Sequence, residues 1–202
     1  MSRPKLKICG INDARIAAAA EAGGADYLGF IFVPESPRAV TPERAKELFG
    51  ALEGKARRVG VFVKDGVADI ERIGRELSLD VIQLHAVYSD ADVLRLKAVG
   101  FEVWRLDAGA PADAVLLDGR ADNATGGTGQ RADWARARAL KEGGTRVVLA
   151  GGLSAENLPE AAATGCDVLD VNSSLEVAPG VKSAERVAEL LRVWREVRKE
   201  AR

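Results

Sequence analysis

Eight short apolar runs recur along the chain at intervals of about 25 residues, most followed by a helix-like segment, and few architectures accept that pattern. The runs are Leu6–Cys9, Tyr27–Phe32, Arg58–Val63, Val81–His85, Glu102–Leu106, Ala114–Asp118, Arg146–Ala150 and Val168–Asn172. Several are apolar at every position, as strands covered on both faces are. Amphipathic segments lie between them, at Asp13–Ala22, Pro42–Leu52, Val67–Leu77, Ala91–Val99, Asp133–Glu142, Ala155–Ala163 and Ser183–Ala201. The interval after Leu106 is rich in Gly, Ala and Pro, so its helix is expected to be short or missing. The pattern predicts an α/β fold, a single-domain (βα)8 TIM barrel over residues 1–202, compact beside a typical length of ~250. An open doubly wound sheet competes; the strand count of eight, with no visible break in strand order, favours the barrel.

Local signals agree with this register. Thr41-Pro42 sets an N-cap before a proline at the first helical position. Ser154-Ala155-Glu156 follows Gly151-Gly152 in the same manner, and Gly23-Gly24 and Gly143-Gly144 end helices. Asn12 and Asp13 open the first helix.

Composition narrows the function classes. The net charge is −1 with both signs intermixed, which argues against nucleic-acid and acidic-membrane partners. No apolar run approaches the ~18 residues of a membrane span. No leader-type stretch follows Met1–Lys7, and a cytoplasmic protein is expected. A single histidine argues against a His-based metal site, and no metal is expected. The two cysteines, Cys9 and Cys166, fall at opposite ends of the barrel, so no disulfide is expected.

In such a barrel the chemistry gathers where strands end. Those positions present Cys9, the Pro34–Arg38 loop, Lys64-Asp65, His85, Asp107, Asp118, Gly151-Gly152 and Asn172-Ser173-Ser174. Gly/Ser turns after strands seven and eight suit a phosphate, which backbone N–H groups would hold. Gly126-Gly127-Thr128-Gly129 is placed to close over the same ligand. Cys9 and Asp118, after strands one and six, form a candidate acid–base pair across the mouth. A helix starting near Asn12 would lower the thiol pKa, and burial would raise that of Asp118. From position alone, Cys9 also fits a nucleophile or a small core residue. Arg38 carries a fork suited to a carboxylate. Lys7 and Asp170 share the strand parity of Cys9 and Asn172, which predicts a buried ion pair between strands one and eight.

These segments together resemble one family. Lys-Ile-Cys-Gly at 7–10, Gly-Phe-Ile-Phe with Ser-Pro-Arg at 29–38, Val-Gly-Val-Phe-Val at 59–63 and Gln-Leu-His at 83–85 are similar to phosphoribosylanthranilate isomerases. So are Leu-Leu-Asp at 116–118, Gly-Gly-Thr-Gly at 126–129, Gly-Gly-Leu at 151–153 and Asp-Val-Asn-Ser at 170–173. The resemblance implies a cofactor-free Amadori rearrangement in tryptophan biosynthesis, on a small phosphorylated substrate, by a monomer or homodimer. It assigns Asp118 as general acid, Cys9 as general base and Arg38 to the anthranilate carboxylate. Gly151, Gly152, Ser173 and Ser174 fall to the phosphate. Ala86, Ser174 and Ser183 depart from the family pattern. A serine at 174, in place of glycine, is expected to strain the loop and weaken phosphate binding. The alternatives are a related sugar-phosphate isomerase and a non-catalytic phospholigand-binding barrel.

Overall fold

The structure, a computed structural model, describes residues 3–106, 111–119 and 133–200. Strands β1 (Lys5–Ile8), β2 (Tyr27–Ile31), β3 (Arg57–Phe62), β4 (Val81–Leu84), β5 (Glu102–Leu106), β6 (Ala114–Leu117), β7 (Val147–Leu149) and β8 (Val168–Val171) pair in parallel. They close in sequence order, with β8 against β1. Helices α1 (Ala14–Ala22), α2 (Pro42–Phe49), α3 (Val67–Glu76) and α4 (Asp90–Ala98) follow the first four strands. Helices α5 (Trp134–Glu142), α6 (Leu158–Ala162) and α7 (Ala184–Glu200) follow β6, β7 and β8. No helix appears between β5 and β6 among the described residues, as the composition there predicts. Asp107 and Gly126-Gly127-Thr128-Gly129 lie outside the described residues.

Strand parity sorts the side chains into two cores. Leu6, Ile8, Leu28, Phe30, Phe62, Ile82, Leu84, Leu169 and Val171 face outward and pack under the helices. Tyr27, Val59, Val81, Trp104, Leu116, Val148 and Val168 face inward and fill the lower barrel. There Tyr27 and Trp104 meet edge to face at 5.0 Å. Above them Cys9, Ile31 and Val61 form a separate small layer beneath the mouth. The continuously apolar strands are thus covered on both sides, which is why no alternation marks them in the sequence.

Caps place the helices where their side chains allow. Asp13 accepts from the N–H groups of Arg15 and Ile16, and Thr41 from Arg44, with Pro42 at the first position. Gly23 and Gly143 end α1 and α5. The start of α6 differs from expectation. Residues 155–157 form turns and the helix begins at Leu158, next to Pro159. Ser154 does not cap it: its hydroxyl donates to Glu156, and its N–H to Asn157 Oδ1 at 2.9 Å. Asn157 Nδ2 also donates to Gly152 O at 2.8 Å, which ties the α6 entry to the glycine turn. After β8 the chain makes a 3-10 turn at Ser173–Leu175. A hairpin not foreseen from the sequence follows, made of β9 (Glu176–Ala178) and β10 (Val181–Lys182).

The barrel seam carries the expected ion pair. Lys7 is in register with Asp170, and its Nζ lies 2.6 Å from Oδ2 of that carboxylate, with Lys7 wholly removed from solvent. A buried pair of this kind contributes little against an apolar substitute, whereas removing one partner strands a charge at a cost of about 3–5 kcal/mol. Lys7→Met is therefore expected to lower unfolding free energy by about that amount in urea titrations, and Lys7→Met/Asp170→Leu to recover most of it. Equal losses in the single and double variants would contradict this account.

Candidate functional site

A cavity of about 230 Å³ opens at the C-terminal ends of the strands. Cys9, Arg38, Asp118, Gly151, Gly152 and Ser173 all line it, although they come from five different loops and strand ends. Ser174 is absent from the wall; its hydroxyl donates to Leu153 O at 2.6 Å and joins the last two loops. Its backbone φ is not positive, since Ser78 is the only non-glycine with positive φ among the described residues. The strain expected at Ser174 is therefore not found: a 3-10 turn places that residue in ordinary backbone space.

Cys9 leaves β1 with its N–H on Val171 O at 2.9 Å, so β8 fixes its height in the barrel. Its sulfur lies over Gly29, where a Cβ would come within 2.7 Å of Sγ and 3.0 Å of Lys7 Cε. The Gly-Phe-Ile-Phe glycine is thus the space that both side chains occupy. Burial pushes the Cys9 thiol up, while the charge of Lys7 pulls it back down. The expected depression by a helix N-terminus is corrected here, because Asp13 already caps the first turn of α1 and desolvation dominates at Cys9.

Asp118 follows β6, and its Oδ2 is 3.2 Å from His85 Nε2. His85 Nδ1 in turn sits 3.2 Å from Gln83 Nε2. Gly151, at φ +85°, lets its backbone pass the Asp118 carboxyl: a Cβ there would fall 2.3 Å from Gly119 N and 2.9 Å from Asp118 Oδ1. Opposite, Asp170 uses Oδ2 on Lys7, while its Oδ1 accepts no hydrogen bond among the described residues. Burial pushes the Asp170 carboxyl up, against the pull of Lys7.

Arg38 is buried in the proline-bracketed β2–α2 loop. Turns from Ser36 N to Val33 O (2.9 Å) and Ala39 N to Ser36 O (3.0 Å) shape that loop. Its Nε and one Nη donate to the two oxygens of Glu176, each at 2.7 Å. The phosphate-type turns are adjacent in space: Gly151 and Gly152 both have positive φ, and the 3-10 turn begins directly after Asn172. The first N–H groups of a helical turn have no acceptor within it and so can take an anion. Among the described residues no group of three or more His, Cys, Asp and Glu side chains is placed to hold a metal ion.

Sequence reading missed Glu176 and Lys182. Lys182 Nζ donates to Asn172 Oδ1 at 3.0 Å, Asn172 O at 3.3 Å and Glu176 Oε1 at 3.4 Å. The usable signal was the Pro-Gly-x-Lys turn at 179–182, which marks a hairpin that folds a charged pair inward.

Fold and cavity together define a (βα)8 barrel that receives its ligand at the C-terminal ends of its strands. The family model described as N-(5'phosphoribosyl)anthranilate (PRA) isomerase matches residues 6–193. The chain is 40% identical over 197 residues to the N-(5'-phosphoribosyl)anthranilate isomerase of Rubrobacter xylanophilus, covering 91% of this chain and 95% of that protein. It is 39% identical to the Granulibacter bethesdensis enzyme of the same name, covering 93% and 96%. The crystal structure of phosphoribosyl anthranilate isomerase from Thermus thermophilus superposes with a TM-score of 0.85 at 36% identity, covering 96% of this chain and 99% of that one. The chain belongs to the phosphoribosylanthranilate isomerase family.

The raised thiol makes a prediction with a definite sign. A group that loses its proton only above its usual range reacts slowly at neutral pH and accelerates as pH rises. In a Cys166→Ser background, iodoacetamide alkylation of Cys9 is expected to follow a midpoint above the ~8.5 of a free cysteine. A midpoint below that value would mean that Lys7, not burial, controls the thiol.

Proposed function

We propose that this chain converts N-(5-phosphoribosyl)anthranilate into 1-(2-carboxyphenylamino)-1-deoxyribulose 5-phosphate, an Amadori rearrangement of tryptophan biosynthesis, without a cofactor. The observation that carries the reading is the convergence of Cys9 and Asp118 on one cavity from β1 and β6. Family membership over residues 6–193 supports it.

Asp118 donates a proton to the ribose ring oxygen, the C1′–O bond breaks, and the nitrogen lone pair forms an iminium. The Cys9 thiolate then removes the C2′ proton, and those electrons neutralise the iminium to give an enolamine. Tautomerisation of the enol yields the ketone. A thiol raised by burial is a stronger base once ionised, at the cost of a smaller ionised fraction, and the Lys7 charge offsets part of that cost. Backbone N–H groups near Gly151, Gly152, Ser173 and Ser174 hold the phosphate. Arg38 takes the anthranilate carboxylate. The 202-residue chain acts as one barrel domain, as monomer or homodimer, in the cytoplasm. No helix among the described residues is long and apolar enough to cross a membrane.

The test generates the labile substrate in situ and follows the loss of its anthranilate fluorescence. Turnover by the native chain is expected, with kcat lowered about 10²–10⁴-fold in Cys9→Ser and in Asp118→Asn. Arg38→Ala is expected to act mainly through KM. Full activity in Cys9→Ser would overturn the mechanism, and absence of turnover by the native chain would favour a phospholigand-binding barrel.

A further inference from the structure

The β9–β10 hairpin brings two charges, Glu176 and Lys182, directly behind the cavity wall, where they bond to the lining residues Arg38 and Asn172 and take no part in the acid–base chemistry. Glu176 is buried and grips Arg38 side-on, through Nε and one Nη, across 138 positions of sequence. A guanidinium bound in this way keeps its end-on edge, with one N–H from each Nη, for a second planar acceptor. Lys182, buried beside them, donates to three acceptors: Asn172 Oδ1, Asn172 O and Glu176 Oε1. A neutral amine has only two N–H donors, so three acceptors fit the ammonium form. The cluster then holds two cations against one carboxylate, and of the three only Arg38 reaches the cavity itself. Burying an excess charge is costly, which makes an incoming anion the natural complement.

The hairpin is also held rigidly against the Arg38 loop. Gly180 has φ +81° and sits so close to Pro37 that a Cβ would come within 2.1 Å of Pro37 O. Asn12 Nδ2 donates to Gly180 O at 2.9 Å, which ties the turn to the β1–α1 loop. Gly180 N reaches Glu176 Oε2 at 3.3 Å, fixing the carboxylate within the hairpin itself.

We propose that Glu176 is a positioning residue for recognition of the substrate's aromatic carboxylate: it clamps Arg38 side-on, with Lys182 as counter-charge, so that the end-on face of Arg38 is presented to that group. Specificity for a carboxylated amine over a plain aromatic amine then depends on a residue of the hairpin that touches no substrate. This rests on the reading of the cavity as an anthranilate site. Burial pulls the Glu176 carboxyl up, but its hydrogen bond with Arg38 and the charge of Lys182 outweigh that and hold it low; the same bond raises Arg38, while burial draws Lys182 down against the charge of Glu176.

The experiment compares two substrates generated in situ, the phosphoribosyl adduct of anthranilate and that of aniline, which lacks the carboxylate. Glu176→Asp keeps the charge but withdraws the clamp by one methylene, and Glu176→Gln keeps the length but removes the charge. Either is expected to raise KM for the anthranilate adduct about tenfold or more with kcat nearly unchanged, and to leave the aniline adduct unaffected. Arg38→Ala/Glu176→Asp should be no worse than Arg38→Ala alone, because Glu176 acts through Arg38. Equal losses on both substrates, or additive losses in the double variant, would overturn the proposal and make Glu176 merely structural. Should Glu176→Gln fail to fold, Glu176→Asp carries the same comparison. If the native chain turns over neither adduct, the functional reading fails on its own. The clamp is then judged by titrating anthranilate and following its fluorescence: equal weakening in Arg38→Ala and Glu176→Asp sustains it, and indifference to Glu176 overturns it.

Discussion

The seam where β8 meets β1 holds a lysine and a carboxylate with no access to water, and the site above depends on how that pair is seated. Lys7 points into the barrel one layer below Cys9, and Gly29 on the next strand leaves the space that both occupy. The closing of the sheet and the electrostatics of the thiol are therefore one arrangement. The same ammonium that pairs with Asp170 Oδ2 offsets part of the desolvation of Cys9, so the pair links the fold to the thiol. A hydrophobic pair would close the seam equally well, but it would leave only the weaker pull of Lys182 to offset the burial of the thiol.

The rest of the site is built by loops that brace one another. Asn157 ties the α6 entry to the Gly152 carbonyl, Ser174 ties the 3-10 turn to Leu153, and the β9–β10 hairpin leans on the Arg38 loop through Gly180. Positive φ at Gly151 and Gly180 matters because each backbone passes within van der Waals distance of a site group or its loop. One departure from the usual pattern is absorbed without backbone strain. Ser174 illustrates this, since its hydroxyl adds a cross-link between loops without forcing the backbone into a strained region.

Much of this was legible before any coordinates. The eight strands fall within a residue or two of their expected positions, because buried parallel strands advertise themselves as apolar runs bounded by turn residues. Parity placed Lys7 opposite Asp170, since a closed barrel leaves β1 and β8 no other neighbours at the seam. The failures are also physical. The α6 start slipped because Ser154 spent its hydroxyl on Glu156 and Asn157 spent its side chain on the preceding loop. Local capping signals cannot show which side chain is already engaged.

By itself the sequence determined the alternating architecture, the seam pair and most of the strand-end residues that converge on the cavity, Ser174 excepted. All of these follow from local periodicity and from closure of the sheet. Only the tertiary structure decided the ionisation bias of Cys9, because desolvation depends on everything packed around the sulfur, and the helix that was expected to lower its pKa is capped by Asp13. It alone also paired Arg38 with Glu176, since a contact between residues 138 positions apart leaves no trace in local pattern. Charge type is written in the chain, but which charges meet depends on how distant loops pack.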